Sequence, residues 1–163
     1  MRISFICIIL TGLLTTASAG EVGNWDFGGK VSLVKIDSGY GVKAALIAEY
    51  RIMAMLTWRS DLEMLLRDAA DLAKTDISIP SNLLYYPLQS QFRFDPYIGP
   101  GLTFTYTYTG SAGLGANILG GINFLVVKGK KFGIESKYTV PLIPKIKTGT
   151  FEIGLTGAWE IQF

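Results

Sequence analysis

The sequence predicts an all-β chain: an eight-stranded, antiparallel, up-and-down β-barrel that crosses a membrane. Three observations predict it. Thr150–Phe163 alternates strictly, with Phe151, Ile153, Leu155, Gly157, Trp159, Ile161 and Phe163 on one face and Glu152, Gly154, Thr156, Ala158, Glu160 and Gln162 on the other. Alternation is the period of a strand, and this run is long enough to cross a bilayer at a tilt, which takes roughly 9–11 residues. Second, the chain is 49% hydrophobic, yet beyond residue 20 no uncharged apolar run approaches the length a membrane helix needs. A barrel resolves this, because each strand needs apolar residues only at alternate positions. Third, seven further segments show the same period, most of them bounded by turn residues.

Residues 1–19 are expected to be a cleavable signal peptide, and 20–163 the barrel domain. Arg2 supplies the positive start, Ile3–Leu14 the apolar run and Ala17-Ser18-Ala19 the small-residue end. Cleavage there removes one of 15 Lys+Arg and none of 13 Asp+Glu, leaving a net charge of +1. That balance gives no electrostatic case for nucleic acid. The only cysteine, Cys7, leaves with the leader, so disulfide and thiolate chemistry go with it.

The first strand is expected over Trp25–Ile36, with Trp25, Phe27, Gly29, Val31 and Leu33 on one face and Gly28, Lys30 and Ser32 on the other. Asp37-Ser38-Gly39 is a tight turn. The second strand, Tyr40–Arg51, carries tyrosines at both ends of its apolar face, as interfacial girdles require. The third starts near Ala54 after a joint at Ile52-Met53 that holds no turn-forming residue. Leu62–Lys74 has no β-branched or aromatic residue, and Ser60-Asp-Leu-Glu63 fits a capping box. The third strand is therefore expected to end near Leu62, followed by a short helix or structured loop to Lys74. The fourth strand spans Asp76–Tyr86, weakened by Pro80, and Gln89-Ser90-Gln91 turns the chain.

The fifth strand runs from Phe94 to Tyr108 and the sixth from Gly113 to Val127. Pro100 cannot donate to a ladder, so a bulge or a missing bond is expected there. Lys128-Gly-Lys-Lys131 reads as a solvated hairpin turn that at most touches anionic headgroups. The seventh strand is Phe132–Val140, Pro141–Gly149 a loop, and Thr150–Phe163 the eighth strand.

Pro96-Tyr-Ile-Gly-Pro-Gly101 resembles a motif strand of small bacterial outer-membrane barrels of the OmpW, OmpX and opacity-protein type, with Pro100 where a small residue is usual. A closing strand ending on an aromatic, Phe163, is also similar to theirs. The resemblance implies residence in the outer membrane, contact with its lipid, and delivery by the barrel-assembly machinery through that last strand. It also implies that the connections near Ile52, Ser90 and Gly129 are periplasmic and those near Ser38, Ala69, Ser111 and Lys145 face outward. Related lipid deacylases and palmitoyltransferases depend on a histidine, which this chain lacks, so the resemblance does not extend to those activities.

Which face looks inward decides between a membrane barrel and a soluble periplasmic barrel holding an apolar ligand. Lys43, Glu49, Arg59, Glu135, Lys137 and Glu152 share the polar parity at mid-strand, and mixed signs suit a small lumen filled by ion pairs. An apolar outer surface fits only lipid. Eight strands leave room inside only for side chains. The expected function is thus a filled, monomeric barrel with a structural or surface-interaction role. The alternative uses are a narrow channel for ions or small solutes and the soluble ligand carrier. No catalytic, cofactor-binding or metal-ligating residue is assigned. Asp61 and Glu63 could act as a carboxylate pair, but an exposed helix start or a lumen charge cluster explains them without chemistry. Gly110-Ser-Ala-Gly-Leu-Gly115 lacks the ending and context of a phosphate loop.

Overall fold

The computed structural model describes residues 23–36, 39–67, 74–87, 94–127, 130–143 and 149–161. They form eight strands: β1 (Trp25–Ile36), β2 (Gly39–Met53), β3 (Leu56–Leu66), β4 (Thr75–Tyr85), β5 (Phe94–Tyr106), β6 (Ala112–Val127), β7 (Lys130–Ile143) and β8 (Thr150–Ile161). Each pairs antiparallel with the next, and β1 pairs with β8, so the sheet closes into a barrel with no free edge. The segment expected as a leader and the last two residues lie outside the described residues, as do the turns expected at 37–38, 89–91 and 128–129.

Alternation sorts the side chains as expected. Leu46, Leu62, Ile79, Leu102, Ile118, Ile134 and Leu155 are exposed on the outer wall, while Lys43, Glu49, Arg59, Glu135, Lys137 and Glu152 are buried inside. The arrangement is the inverse of a soluble ligand-binding barrel. Aromatic side chains mark both rims. Trp25 stacks near Tyr50 and Trp58, with ring centroids 5.1 and 6.0 Å away, and Tyr40, Tyr106 and Tyr108 are exposed at the opposite end. No helix among the described residues is long and apolar enough to cross a membrane.

The helix expected from Leu62 is corrected over its first turn: β3 continues to Leu66, and residues 68–73 lie outside the described residues. Leu62 and Met64 face outward and Asp61, Glu63 and Leu65 inward, so the strand conformation turns Leu62 and Met64 to the bilayer side and both carboxylates into the lumen. Pairing of Ser60 with Ala48 and Ser81 replaces the capping role. Tertiary context overrides a modest helix propensity.

The joint without turn residues closes as a hairpin at Ala54-Met55, after a register shift between Arg51 and Met53. Neighbours hold it. Gly23 N–H donates to the Arg51 carbonyl at 2.9 Å and Tyr86 N–H donates to the Met55 carbonyl at 2.9 Å. The opposite turn after β5 is self-sufficient: Gly110 takes a φ of 85° and its N–H reaches the Thr107 carbonyl at 2.9 Å. β7 runs past Val140 to Ile143, so the loop expected from Pro141 starts later; a register shift between Leu114 and Gly115 lets Pro141 remain in the strand.

Candidate functional site

The strand parities deliver one constellation, a cluster of ion pairs across the middle of the lumen. Lys30 on β1 is its hub. Its Nζ lies 2.7 Å from Glu152 Oε1, 3.0 Å from Glu63 Oε1, 3.1 Å from Glu135 Oε1 and 3.6 Å from Asp61 Oδ2. Lys43 on β2 bridges Glu63 at 2.9 Å and Glu152 at 2.6 Å. Lys137 on β7 donates to Glu63 and lies 3.5 Å from Glu152, its direct cross-strand partner.

Arg59 on β3 lies between two carboxylates. Its Nε and Nη2 reach Asp61 at 2.7 and 3.0 Å, and its Nη1 and Nη2 reach Glu135 at 2.6 and 3.3 Å. Both contacts use the guanidinium fork bidentately. Glu49, opposite Arg59 in the ladder, stands 3.6 Å from Nη1. Two neutral donors complete the shell: Ser78 Oγ to Glu63 at 2.9 Å and Tyr97 Oη to Glu135 at 2.8 Å.

Every charge has partners. Lys30, Lys43, Arg59 and Lys137 face Asp61, Glu63, Glu135 and Glu152, with Glu49 a fifth carboxylate at the Arg59 edge, all with side chains almost fully buried. Burying any one of them alone would be prohibitive, so the cluster exists only because each charge has partners. On the opposite wall Leu84, Tyr86, Tyr97 and Leu119 pack together, beside buried Asn82 and Asn117.

Tyr97 reaches Glu135 because of a glycine. Gly121 is the cross-strand partner of both Tyr97 and Glu135, and the Tyr97 ring lies where a Gly121 side chain would stand, with Oη 2.6 Å from an ideal Cβ. An aromatic lying over an inward glycine is a known device for fixing register. Gly121→Ala should therefore push Tyr97 off Glu135 and lower stability by about 1–3 kcal/mol. A urea titration of the refolded barrel reads this as a lower midpoint, and an unchanged midpoint would show that the ring is not seated as described.

All six charges assigned to the lumen from sequence are there, and Asp61 and Glu63 join them as a lumen charge cluster rather than a helix start. Lys30 was placed on the inward face without being recognised as the hub. Lys131 corrects the solvated-turn reading of Lys128–Lys131: it is buried on the inward parity and its Nζ pairs with Asp26 at 3.0 Å. Its parity with Gly133, Glu135 and Lys137 was the available signal. Among the described residues no group of carboxylates is arranged to hold a metal.

A closed eight-strand barrel, apolar outside and packed with ion pairs inside, defines a transmembrane β-barrel with a filled lumen. Its fold is that of the small bacterial outer-membrane barrels. The N-terminal β-barrel domain of Pseudomonas aeruginosa OprF aligns with a TM-score of 0.63 at 12% identity, covering 83% of this chain and 97% of that one. Neisserial surface protein A aligns with a TM-score of 0.62 at 19% identity, covering 88% and 99%. The outer membrane enzyme PagL aligns with a TM-score of 0.52 at 14% identity, covering 83% and 99%. No family model matches the chain, and no curated protein matches it in sequence.

Proposed function

We propose that this chain is an integral protein of the bacterial outer membrane, exported by the leader at 1–19, and that its barrel is a filled scaffold serving envelope structure or surface interaction. The observation that carries the reading is the lumen cluster. Four cations and five carboxylates close the middle of the barrel with mutual contacts of 3.6 Å or less. A water-filled pore keeps its lining charges apart and solvated, whereas here they are spent on one another. Monomeric assembly through the barrel-assembly machinery, reading the closing strand, belongs to the same proposal.

PagL shows that this fold can carry an enzyme. Against catalysis here stand the absence of histidine from the whole sequence and the engagement of the central carboxylates in ion pairs. A base already saturated by lysine and arginine has no proton-accepting role to offer. We read the chain as a non-enzyme.

Two measurements test the proposal. Fractionation followed by electrophoresis without and with boiling should place the protein in the outer-membrane fraction, as a compact species that shifts on heating. Planar-bilayer recordings of the refolded protein should show no steady conductance. A reproducible open level would favour the narrow-channel reading, and recovery in the soluble periplasm would defeat both.

A further inference from the structure

The β2–β3 hairpin and the β6–β7 connection lie at the same end of the barrel and differ in chemistry. Past the rung that pairs Phe124 with Phe132, the β6–β7 segment reads Lys128-Gly-Lys-Lys131, and Lys130 shares the outward parity of Phe132. Past the rung that pairs Tyr50 with Trp58, the β2–β3 hairpin reads Ile52-Met-Ala-Met-Leu56, without a charge. Ile52, Met53 and Ala54 are exposed, Met53 by 60%. The neighbouring cation does not cover them: the Arg51 guanidinium is turned over the Tyr86 ring, 6.0 Å from its centroid. Contiguous apolar groups exposed at a turn mark a contact surface.

The tip is continuous with the lipid-facing wall. Met53 pairs with Leu56, Leu56 with Tyr85 and Trp58 with Leu83, so the apolar outer parity runs unbroken from the wall onto the hairpin. The polar atoms beside it report the medium at that height. Trp58 Nε1 donates to Ser81 Oγ at 2.8 Å, and Ser60 Oγ donates to the Pro80 carbonyl at 3.3 Å. Polar groups in hydrocarbon are satisfied within the protein, whereas a tryptophan at the interface turns its N–H to the wet side. On β2–β4 the edge of the hydrocarbon therefore lies beyond Trp58, toward the tip. On β6–β7 the outward series passes from Phe132 directly to Lys130, so the edge lies higher there.

We propose that the β2–β3 hairpin tip, Ile52–Met55, is a lipid-binding foot: it enters the boundary between acyl chains and headgroups, and it seats the barrel at a tilt with the β2–β4 side deeper than the β6–β7 side. The inference rests on the membrane-barrel reading. Two methionines suit the role, because an unbranched, flexible side chain adapts to a fluid surface. The hairpin also meets part of its backbone demand without water, since the Arg51 and Met55 carbonyls accept from the Gly23 and Tyr86 N–H groups. In the orientation expected from the closing strand, the leaflet it enters is the periplasmic one.

Spin labels on single cysteines test this in the chain from residue 20 to 163, which has no cysteine of its own, refolded into phosphatidylcholine vesicles. Ala54→Cys marks the tip, Lys130→Cys the β6–β7 connection and Leu155→Cys the middle of the wall. Electron paramagnetic resonance with oxygen, which concentrates in hydrocarbon, and a water-soluble nickel chelate reads the depth of each label. The Ala54 label should lie roughly 5–10 Å inside the headgroup boundary, as interfacial apolar segments do, with the Lys130 label outside it. Equal exposure of Ala54 and Lys130 to the chelate would overturn the proposal. So would an Ala54 label shielded from both reagents, which would mean that a second copy of the chain covers the tip. Exposure of Leu155 to the chelate would overturn the membrane barrel itself, so the two failures are distinguishable. Met53→Cys gives the same readout should Ala54→Cys not refold, with the mobility shift on boiling scoring the fold.

Discussion

Lys30→Met should lower the unfolding free energy of the barrel by about 3–5 kcal/mol, the usual cost of leaving a buried charge without its partner. The Lys30 ammonium is the contact shared by Glu152, Glu63, Glu135 and Asp61. Removing it leaves Lys43, Arg59 and Lys137 facing five carboxylates, Glu49 included, in a region almost closed to water. The side chain of methionine fills similar volume, so the loss reports charge and not a cavity. Two companion variants give the result its meaning. Arg67→Ala breaks a single pair with Asp76 at 2.6 Å, but the Arg67 side chain is 39% exposed and Asp76 keeps a hydrogen bond from the Tyr108 N–H, so its loss should cost less than that of Lys30. Adding Glu152→Gln to Lys30→Met restores the original net charge and should recover a large part of the loss. Urea unfolding of the refolded variants in lipid vesicles reads all three. Equal, small effects of Lys30→Met and Arg67→Ala would mean that the central cluster is hydrated and the lumen is not filled.

The eight strands and the face of most of their residues were readable because both follow from a period of two, which is a local property. Trp25–Ile36 and the inward set Lys43, Glu49, Arg59, Glu135, Lys137 and Glu152 come directly from it. What parity cannot give is depth around a tilted barrel. Lys30 and Glu152 are 122 residues apart and meet only because closure and shear bring β1 beside β8 at that height. The hub was therefore invisible as a hub, although its face was known. The two local misreadings have a common origin. Leu62–Lys74 was read by residue propensity and Lys128–Lys131 by turn composition, and in both places the inward parity of Glu63 and Lys131 carried the better signal. The turn at Ala54-Met55 failed to announce itself because the hydrogen bonds that hold it come from Gly23, just before β1, and Tyr86, just after β4. Pro100 was legible as a defect, but which neighbour loses the bond depends on which edge its nitrogen faces, and only the ladder reveals that.

Leu155→Arg should destabilise the barrel by about 2–4 kcal/mol when it is embedded in a bilayer. Leu155 lies midway along β8, half exposed on the outer wall, between Val31 of β1 and Ile134 of β7. An arginine there must either enter hydrocarbon or bend toward a rim, and at mid-height neither rim is near. Tyr40→Arg makes the same chemical change on the same outer parity, but beside the turn after β1, where it should cost only about 0–1 kcal/mol because headgroups and water are within reach. The comparison separates the membrane barrel from a soluble one. In water both sites are exposed, and arginine at either would be neutral or would improve solubility. A cost that rises from the Tyr40 rim to the Leu155 midline can arise only if the surrounding medium changes from polar to apolar over that height. Vesicle-based urea midpoints for the two variants measure that gradient. Equal midpoints would place the outer wall in water, which would leave its band of exposed leucine and isoleucine without a physical reason.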